Sequence, residues 1–362
     1  MITSHDLEII AEIGVNHNGC METAQALIQA AAESGAHYAK FQSYTSSRLV
    51  SPDLGQAEYQ KKNSARTETQ HEMLVRYELA SEDYGLLTKA CEENGIKFLS
   101  SAFDRNSLRF LVEDLGLGIV KIGSGELLNL PMLLELGRLQ VQVILSTGMA
   151  LLSDIELALS CLAFGAIKGR APRSEEEVFE VYSLPESHLW LSEHVSLLHC
   201  TTSYPAPPSG TNLRVLPMLS SAFGLRVGFS DHTPGAGVAH AAIALGATII
   251  EKHMTLDNNM PGPDHKASME PPQFRELVEG CKDAVQAMGH SRKFVQPSEI
   301  GNKALVQKRL VAACDIAMNE PFTVDNVMTQ RRYDGLPAGK FLTILGTKSR
   351  QDIPIGMPIL ER

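Results

Sequence analysis

The sequence predicts a (β/α)8 barrel of the TIM type followed by a small β-rich C-terminal domain. Short apolar runs alternate with amphipathic helical stretches for most of the length. Eight such runs can be counted, each followed by a helical stretch, which is the number a closed parallel barrel needs. Polar residues gather at the C-terminal end of every run, where a barrel of this kind builds its site. The chain of 362 residues also suits a barrel, since that fold takes about 250 residues and leaves room for one small addition.

The strand candidates are Leu7–Ile13, His37–Gln42, Ile96–Ser101, Gly118–Ile122, Gln142–Ser146, Val195–Cys200, Leu225–Phe229 and Ala247–His253. Between them lie helical patterns at Met21–Ser34, Glu82–Asn94, Asn106–Leu115, Ser153–Leu162 and Gly237–Leu245, and Pro272–Met288 follows the last strand. A doubly wound open sheet would usually carry a glycine-rich turn after its first strand. Here that turn reads GVNHNG, which lacks the spacing of a dinucleotide fingerprint.

Two connections are long. Thr45–Arg76 follows the second strand, on the face where barrel sites form, and is placed to act as a lid. Ile167–Glu193 precedes the sixth strand on the opposite face, and its charged run, Arg170 to Glu180, reads as a solvated helix or an oligomer contact. The barrel is expected to span 1–290, with a polar linker at 291–302. The remainder, 303–362, has short β-type runs broken by Gly and Pro, and reads as a small domain that needs a surface to dock on.

Composition narrows the function. A formal net charge of −10 argues against a nucleic-acid partner, which requires a basic face. The first residues lack a cationic stretch followed by an apolar one. No apolar run reaches the roughly eighteen residues of a membrane span. The expectation is a cytoplasmic protein without a membrane partner. Six cysteines stand far apart with no C-x-x-C, which fits a reducing compartment and argues against a zinc ribbon.

The strand ends carry the chemistry. Lys40, Ser101, Lys121, Ser124, Ser146 and Ser230 converge on one mouth, where two ammonium groups, hydroxyls and exposed amides suit a phosphate with a carboxylate. Lys121 has a plainer alternative, an interior charge paired with Glu12 or Glu126. His232 and His253 end neighbouring strands, so their imidazoles can share one divalent ion, with oxygen ligands and water completing its shell. That chemistry points to Mn2+, with Mg2+ or Co2+ able to serve. His17 reads equally as a loop-ordering or a functional histidine. His199 and Cys200 are consecutive in a strand and so face opposite ways, which rules them out as a nucleophile pair.

These motifs together resemble the bacterial N-acetylneuraminate synthase family, which includes legionaminic acid synthases, over nearly the whole chain. The matching stretches are IAEIGVNHNG (10–19), KFQ (40–42), KIGSGE (121–126), LSTGM (145–149), LHCTTSYPAP (198–207), GFSDHT (228–233), EKHMTLD (251–257) and PGPDHKASMEP (261–271). The resemblance implies condensation of phosphoenolpyruvate with an open-chain N-acetylated amino sugar aldehyde, giving a nine-carbon 2-keto acid and phosphate. It implies that His232 and His253 hold the metal, and that Lys40, Ser101, Lys121, Ser124, Ser146 and Ser230 contact phosphoenolpyruvate. Glu12, Gln42, Tyr204 and Asp264 match positions at the sugar. Glu126 matches an essential carboxylate, and Glu12 joins it as a catalytic candidate. Thr202 stands where some members have an asparagine that touches phosphoenolpyruvate.

The C-terminal segment resembles the family's antifreeze-like (SAF) domain. The resemblance implies a domain-swapped homodimer in which Arg331 reaches the sugar's N-acetyl group from the partner; Arg332 replaces the usual proline beside it, so either arginine could be the contact. The sugar the resemblance implies first is N-acetylmannosamine, giving N-acetylneuraminate; the alternative is 2,4-diacetamido-2,4,6-trideoxymannose, giving N,N′-diacetyllegionaminate. Pseudaminate synthase fits PGPDHKASMEP less well. From another enzyme class, a Schiff-base aldolase could use Lys121 or Lys252. A non-enzymatic ice- or carbohydrate-binding module would have no use for the Lys and Glu set.

Overall fold

The computed structural model describes residues 6–56 and 68–361. The chain divides into two compact units, Met1–Gly289 and His290–Arg362. In the first, eight parallel strands close into a barrel: β1 Glu8–Gly14, β2 Tyr38–Ser43, β3 Lys97–Ala102, β4 Ile119–Ile122, β5 Gln142–Ser146, β6 Val195–Cys200, β7 Arg226–Asp231 and β8 Ile249–His253. Closure comes from β1 pairing with β8, which sets Glu12 beside His253, while β1 pairing with β2 sets Glu12 beside Lys40.

Side chains alternate across the strands. One set, including Ile9, Ala11, Phe41, Val120, Leu145, Leu197, Phe229 and Ile250, joins the large core under the helices. The other set points inward, where Ile10, Tyr38, Leu99, Ile144, Leu198 and Ile249 form a separate plug inside the barrel. The helical layer comprises Met21–Glu33, Ser81–Glu93, Arg105–Arg109 continuing as a π turn to Asp114, Leu130–Leu139, Leu152–Lys168, Val215–Phe223, Gly237–Ala244 and Pro271–Met288.

Ile167–Glu193 is more ordered than a charged run suggests. Ser174 caps the helix Glu175–Tyr182 through the backbone of Glu177, Arg170 pairs with Glu177, and a second helix, Pro185–His194, follows. Trp190 Nε1 donates to Gln140 Oε1 at 2.8 Å, tying this pair of helices to the loop before β5.

The second unit has an antiparallel pair, β9 Lys308–Ala312 and β10 Val327–Arg331. Its own small core contains Leu310, Ile316, Phe322, Val327, Leu336, Ile344, Ile353 and Ile359. The expected linker is partly structured: Pro297–Glu299 is a 3-10 turn and Ile300–Val306 a helix. Gln296 N donates to Glu299 Oε2 at 2.8 Å, a capping contact that a polar composition conceals. No described helix is long and apolar enough to cross a membrane.

Candidate active site

Two residues beyond the apolar plug, the inward positions turn polar and line a cavity of about 400 Å³ at the C-terminal mouth of the barrel. The barrel residues expected to bind substrate or metal or to act catalytically all line it: Glu12, Lys40, Gln42, Ser101, Lys121, Ser124, Glu126, Ser146, Thr202, Tyr204, Ser230, His232, His253 and Asp264, whereas His17 and Lys252 do not. Arg331 belongs to the second unit.

The cavity floor is a buried network of charges. Lys40 Nζ lies 2.7 Å from Glu12 Oε2 and 3.3 Å from Glu251 Oε2, and donates to Ser101 Oγ at 3.1 Å. Lys121 Nζ donates to Ser146 Oγ at 2.7 Å and lies 3.6 Å from Glu251 Oε1. Ser230 Oγ donates to the same Glu251 oxygen at 2.8 Å, and Gln42 Nε2 to Glu12 Oε1 at 3.0 Å. Lys121 therefore pairs with Glu251, not with Glu12 or Glu126. Glu251 is the residue that sequence reasoning missed. It stands two before His253 on one strand, so the period-two rule alone places it inside the barrel beneath the histidine.

Burial and neighbours push these groups apart. Burial raises Glu12 and the charge of Glu251 adds to it, against the pull of Lys40, so Glu12 sits above the usual carboxylate range. Burial also acts to raise Glu251, but Lys121 and Lys40 outweigh it and hold this carboxyl low. Lys40 is held high because Glu12 and Glu251 overcome its burial, whereas burial dominates at Lys121 and lowers it. Two carboxylates in one site, one inclined to keep a proton and one to lose it, form the usual basis for dividing acid and base roles.

Above the floor stand His232 and His253, ring centroids 5.6 Å apart, with Tyr204 packed 4.2 Å from His232 and edge-on to His253 at 5.9 Å. The ring of His232 is oriented by Nδ1 donating to Thr201 O at 2.8 Å, which leaves Nε2 as its lone-pair nitrogen. Burial drives both imidazoles down to about 4, so both are neutral near pH 7. His253 Nδ1 is buried and has no hydrogen-bond partner among the described residues. Neutral imidazoles with such an orphaned nitrogen fit a divalent ion. No group of three or more His, Cys, Asp or Glu side chains among the described residues could hold one. An ion bound here would take two imidazole nitrogens from this chain, and its other positions would fall to water or substrate.

Around the rim, Glu126 sits on a 3-10 turn after β4 and accepts from Asn129 Nδ2 at 2.7 Å, and burial raises its carboxyl. Asp264 is raised to about 7 by burial and then by the charge of Glu12. Beside Ser124, Gly148 is required by space: a Cβ there would lie 2.5 Å from Thr202 Oγ1 and 2.8 Å from both Cys200 Sγ and Ser124 Oγ. Cys200 lines the cavity, while His199 Nε2 bonds Thr211 O, so the two do face apart. His17 Nδ1 accepts from Gly19 N at 3.0 Å, the loop-ordering contact.

The connection after β2 supplies one wall. A reciprocal cap between Thr69 and Glu72 starts the helix Gln70–Tyr77, which presents Met73 and Leu74 beside Leu49, Val50, Val15 and Phe103. Residues 57–67 of the expected lid lie outside the described residues. In the second unit, Arg332 is engaged by Asp334 at 2.6 Å and by Gly356 O at 2.8 Å. Arg331 is exposed on β10 and makes no side-chain bond with the described residues.

A parallel barrel whose strand ends gather buried lysines, opposed carboxylates and paired imidazoles around one cavity has the architecture of a barrel enzyme. Residues 27–293 match the model of the NeuB family. The chain is 42% identical over 338 residues to the N,N′-diacetyllegionaminic acid synthase of Campylobacter jejuni subsp. jejuni, spanning 93% of this chain and 94% of that protein. It is 36% identical to the protein of the same name from Legionella pneumophila subsp. pneumophila, over 97% of this chain and 93% of the other. A crystal structure of N-acetylneuraminic acid (sialic acid) synthetase from Leptospira borgpetersenii serovar Hardjo-bovis superposes with a TM-score of 0.66 at 29% identity, covering 82% of this chain and 90% of that one. The chain belongs to the NeuB family.

Proposed function

We propose that the enzyme is a nonulosonic acid synthase, joining phosphoenolpyruvate to an open-chain N-acetylated amino sugar aldehyde. The observation that carries this is the floor: two buried lysines, each bonded to a serine and both paired with one carboxylate. Lys40, Lys121, Ser101, Ser124, Ser146 and Ser230 offer a phosphate and a carboxylate a full set of donors. The charges nevertheless nearly cancel, since Glu12 and Glu251 oppose the two lysines. A trianionic substrate therefore needs further positive charge or a proton on Glu12, whose raised affinity for one suits that need.

His232 and His253 would hold a divalent ion, Mn2+ for preference, which when bound polarises the sugar aldehyde. Glu12, Gln42, Tyr204 and Asp264 orient the sugar so that its C1 faces C3 of the enol. A C–C bond forms between them as the aldehyde oxygen takes up a proton, and water adds at C2 and gives one up. The C2–O bond to phosphate then breaks as the new C2 hydroxyl passes its proton to the leaving phosphate, leaving a 2-keto acid and inorganic phosphate. Glu126, half-buried with a raised carboxyl, can take the proton from the entering water, and the apolar wall after β2 helps shield it from bulk water. Lys252 cannot serve as a Schiff-base lysine here, because it faces away from the cavity and is sequestered by Asp231.

The sugar has two readings. N-acetylmannosamine would give N-acetylneuraminate. The apolar wall of Val15, Leu49, Val50, Met73, Leu74 and Phe103 favours the second, 2,4-diacetamido-2,4,6-trideoxymannose, whose methyl and second acetamido group suit apolar surface better than hydroxyls do. The 42% identity to a diacetyllegionaminic acid synthase supports the same choice. The second unit is read as an antiefreeze-like cap that crosses to a partner's barrel in a cytoplasmic homodimer, with Arg331 as the free guanidinium it delivers. Phosphate release from phosphoenolpyruvate against a panel of N-acetylated sugars tests the whole reading: release with none of them would refute it, and the preferred sugar decides between the two products.

A further inference from the structure

Lys252 and Asp231 lie behind the site, and the proposed reaction uses neither. In β8, Glu251 and His253 point into the cavity, so Lys252 between them points outward, toward the apolar core under the helices. It is 2% exposed and Asp231 is 1% exposed. An ion pair there is a poor device for stability, because apolar residues of the same volume usually do as well or better. What sets this one apart is the target of its bonds.

All three Nζ protons of Lys252 are used: on Asp231 Oδ2 at 2.8 Å, on Thr233 O, and on Gly235 O at 3.0 Å. The other oxygen of Asp231 accepts from Thr233 N and from Thr233 Oγ1, both at 2.8 Å. Each bond ends on the turn 231–235, and the one residue of that turn reaching into the cavity is His232. Its carbonyl is held by Ala206 N at 2.8 Å and its ring by Thr201 O. The lysine that clamps this turn is itself the residue next to His253. One ammonium group thus links the backbone carrying one imidazole to the backbone carrying the other.

We propose that the Lys252–Asp231 pair is a positioning device that fixes His232 against His253. It rests on the reading that these histidines share a divalent ion, and the test separates the two ideas. In the double variant Asp231→Leu/Lys252→Met no buried charge is left unpaired, though Thr233 and Gly235 lose bonds, so the protein should still fold with a modestly lowered thermal midpoint. Binding of Mn2+ alone, followed by titration, should nonetheless weaken by about 10–100-fold and kcat should fall comparably. KM for phosphoenolpyruvate should change by less than about threefold, since Lys40 and Lys121 keep their partners. A double variant with wild-type Mn2+ affinity and kcat would overturn the proposal.

Should the double variant not fold, Thr233→Val removes a single bond to Asp231 at constant volume. It should keep its thermal midpoint and weaken Mn2+ about threefold or more, and unchanged affinity counts against the pair. Should the wild type bind no Mn2+, the metal reading fails by itself. The clamp is then read from long-range 1H–15N spectra of 15N-histidine protein. His232 should show one tautomer, protonated at Nδ1, in the wild type and averaged tautomers in the variant; a fixed tautomer in both overturns the proposal.

Discussion

Two layers of the barrel interior differ by a single step along the same strands. Ile10, Tyr38, Leu99, Ile144, Leu198 and Ile249 form the lower layer. Two residues further on, the same six strands present Glu12, Lys40, Ser101, Ser146, Cys200 and Glu251 to the cavity. The step is about 7 Å. Below it the interior is an apolar plug, and above it lies a network of charges that would be costly to bury unpaired. The lower layer makes the upper one possible, since a dry, rigid base removes water from beneath the lysines and strengthens every electrostatic contact above.

Breaking each layer separately should give opposite outcomes. Lys121→Met removes a donor from the floor and should lower phosphate release by about 10³-fold with the fold intact. Leu99→Ala opens a cavity in the plug and should cost about 2–5 kcal/mol of stability. Turnover per folded molecule should then stay within about threefold, as read by active-site titration beside a denaturant melt. Loss of turnover in well-folded Leu99→Ala protein would erase the distinction between the layers.

The histidines above the upper layer sharpen the contrast further. His232→Ala should fold normally yet lose Mn2+ and about 10²-fold or more in rate together, and excess EDTA should bring the wild type to the same floor until Mn2+ is restored. Full activity in EDTA would remove the metal from the account.

Much of this was legible in advance because parity and strand order are local properties. The eight strands fall within a few residues of their expected positions, and the polar strand ends identify the mouth. What parity alone does not reveal is partnership. Glu251 meets Lys40 and Lys121 only after β8 closes on β1, a contact between distant parts of the chain. Lys121 and Lys252 look alike in sequence, and only the face each occupies separates the lysine that lines the cavity from the one bonded to the turn 231–235. The helix Ile300–Val306 is too short to show apolar periodicity, and its start depends on Pro297 and the Glu299 cap in the polar stretch before it.

Complementation between chains gives a more moderate effect. Glu126→Gln and Arg331→Ala homodimers should each be nearly inactive. If, as proposed, the second unit caps a partner's barrel, coexpressed mixed dimers would hold one site with an intact barrel and an intact cap, so random pairing should recover up to about a quarter of wild-type activity. Confirmed heterodimers with no recovery would mean that the second unit acts within its own chain or that Arg332 makes the contact.

A further expected effect concerns stability and pH. The Asp264 carboxyl is raised from 3.8 to about 7, so between those values the folded protein keeps a proton that the unfolded chain has lost, and stability falls as pH rises through that window. Asp264→Asn removes this dependence, and its thermal midpoint should gain on the wild type at pH 8 but not at pH 4. The two imidazoles act in the opposite sense. Held at about 4 when folded, they cost stability as pH falls below 6.5, in variant and wild type alike. An equal offset at both pH values would show that Asp264 does not titrate in this range.

The central claim is that the buried floor holds phosphoenolpyruvate while its C3 attacks an aldehyde and water enters at C2. Phosphoenolpyruvate carrying 18O in the bridging oxygen tests this most directly, by mass analysis of both products after turnover with the preferred sugar. Scission of the C–O bond sends the label into inorganic phosphate, in step with 2-keto acid formation, and that is the predicted result. Unlabelled phosphate, with 18O retained at C2 of the product before exchange, would mean that water attacks phosphorus and would contradict the account.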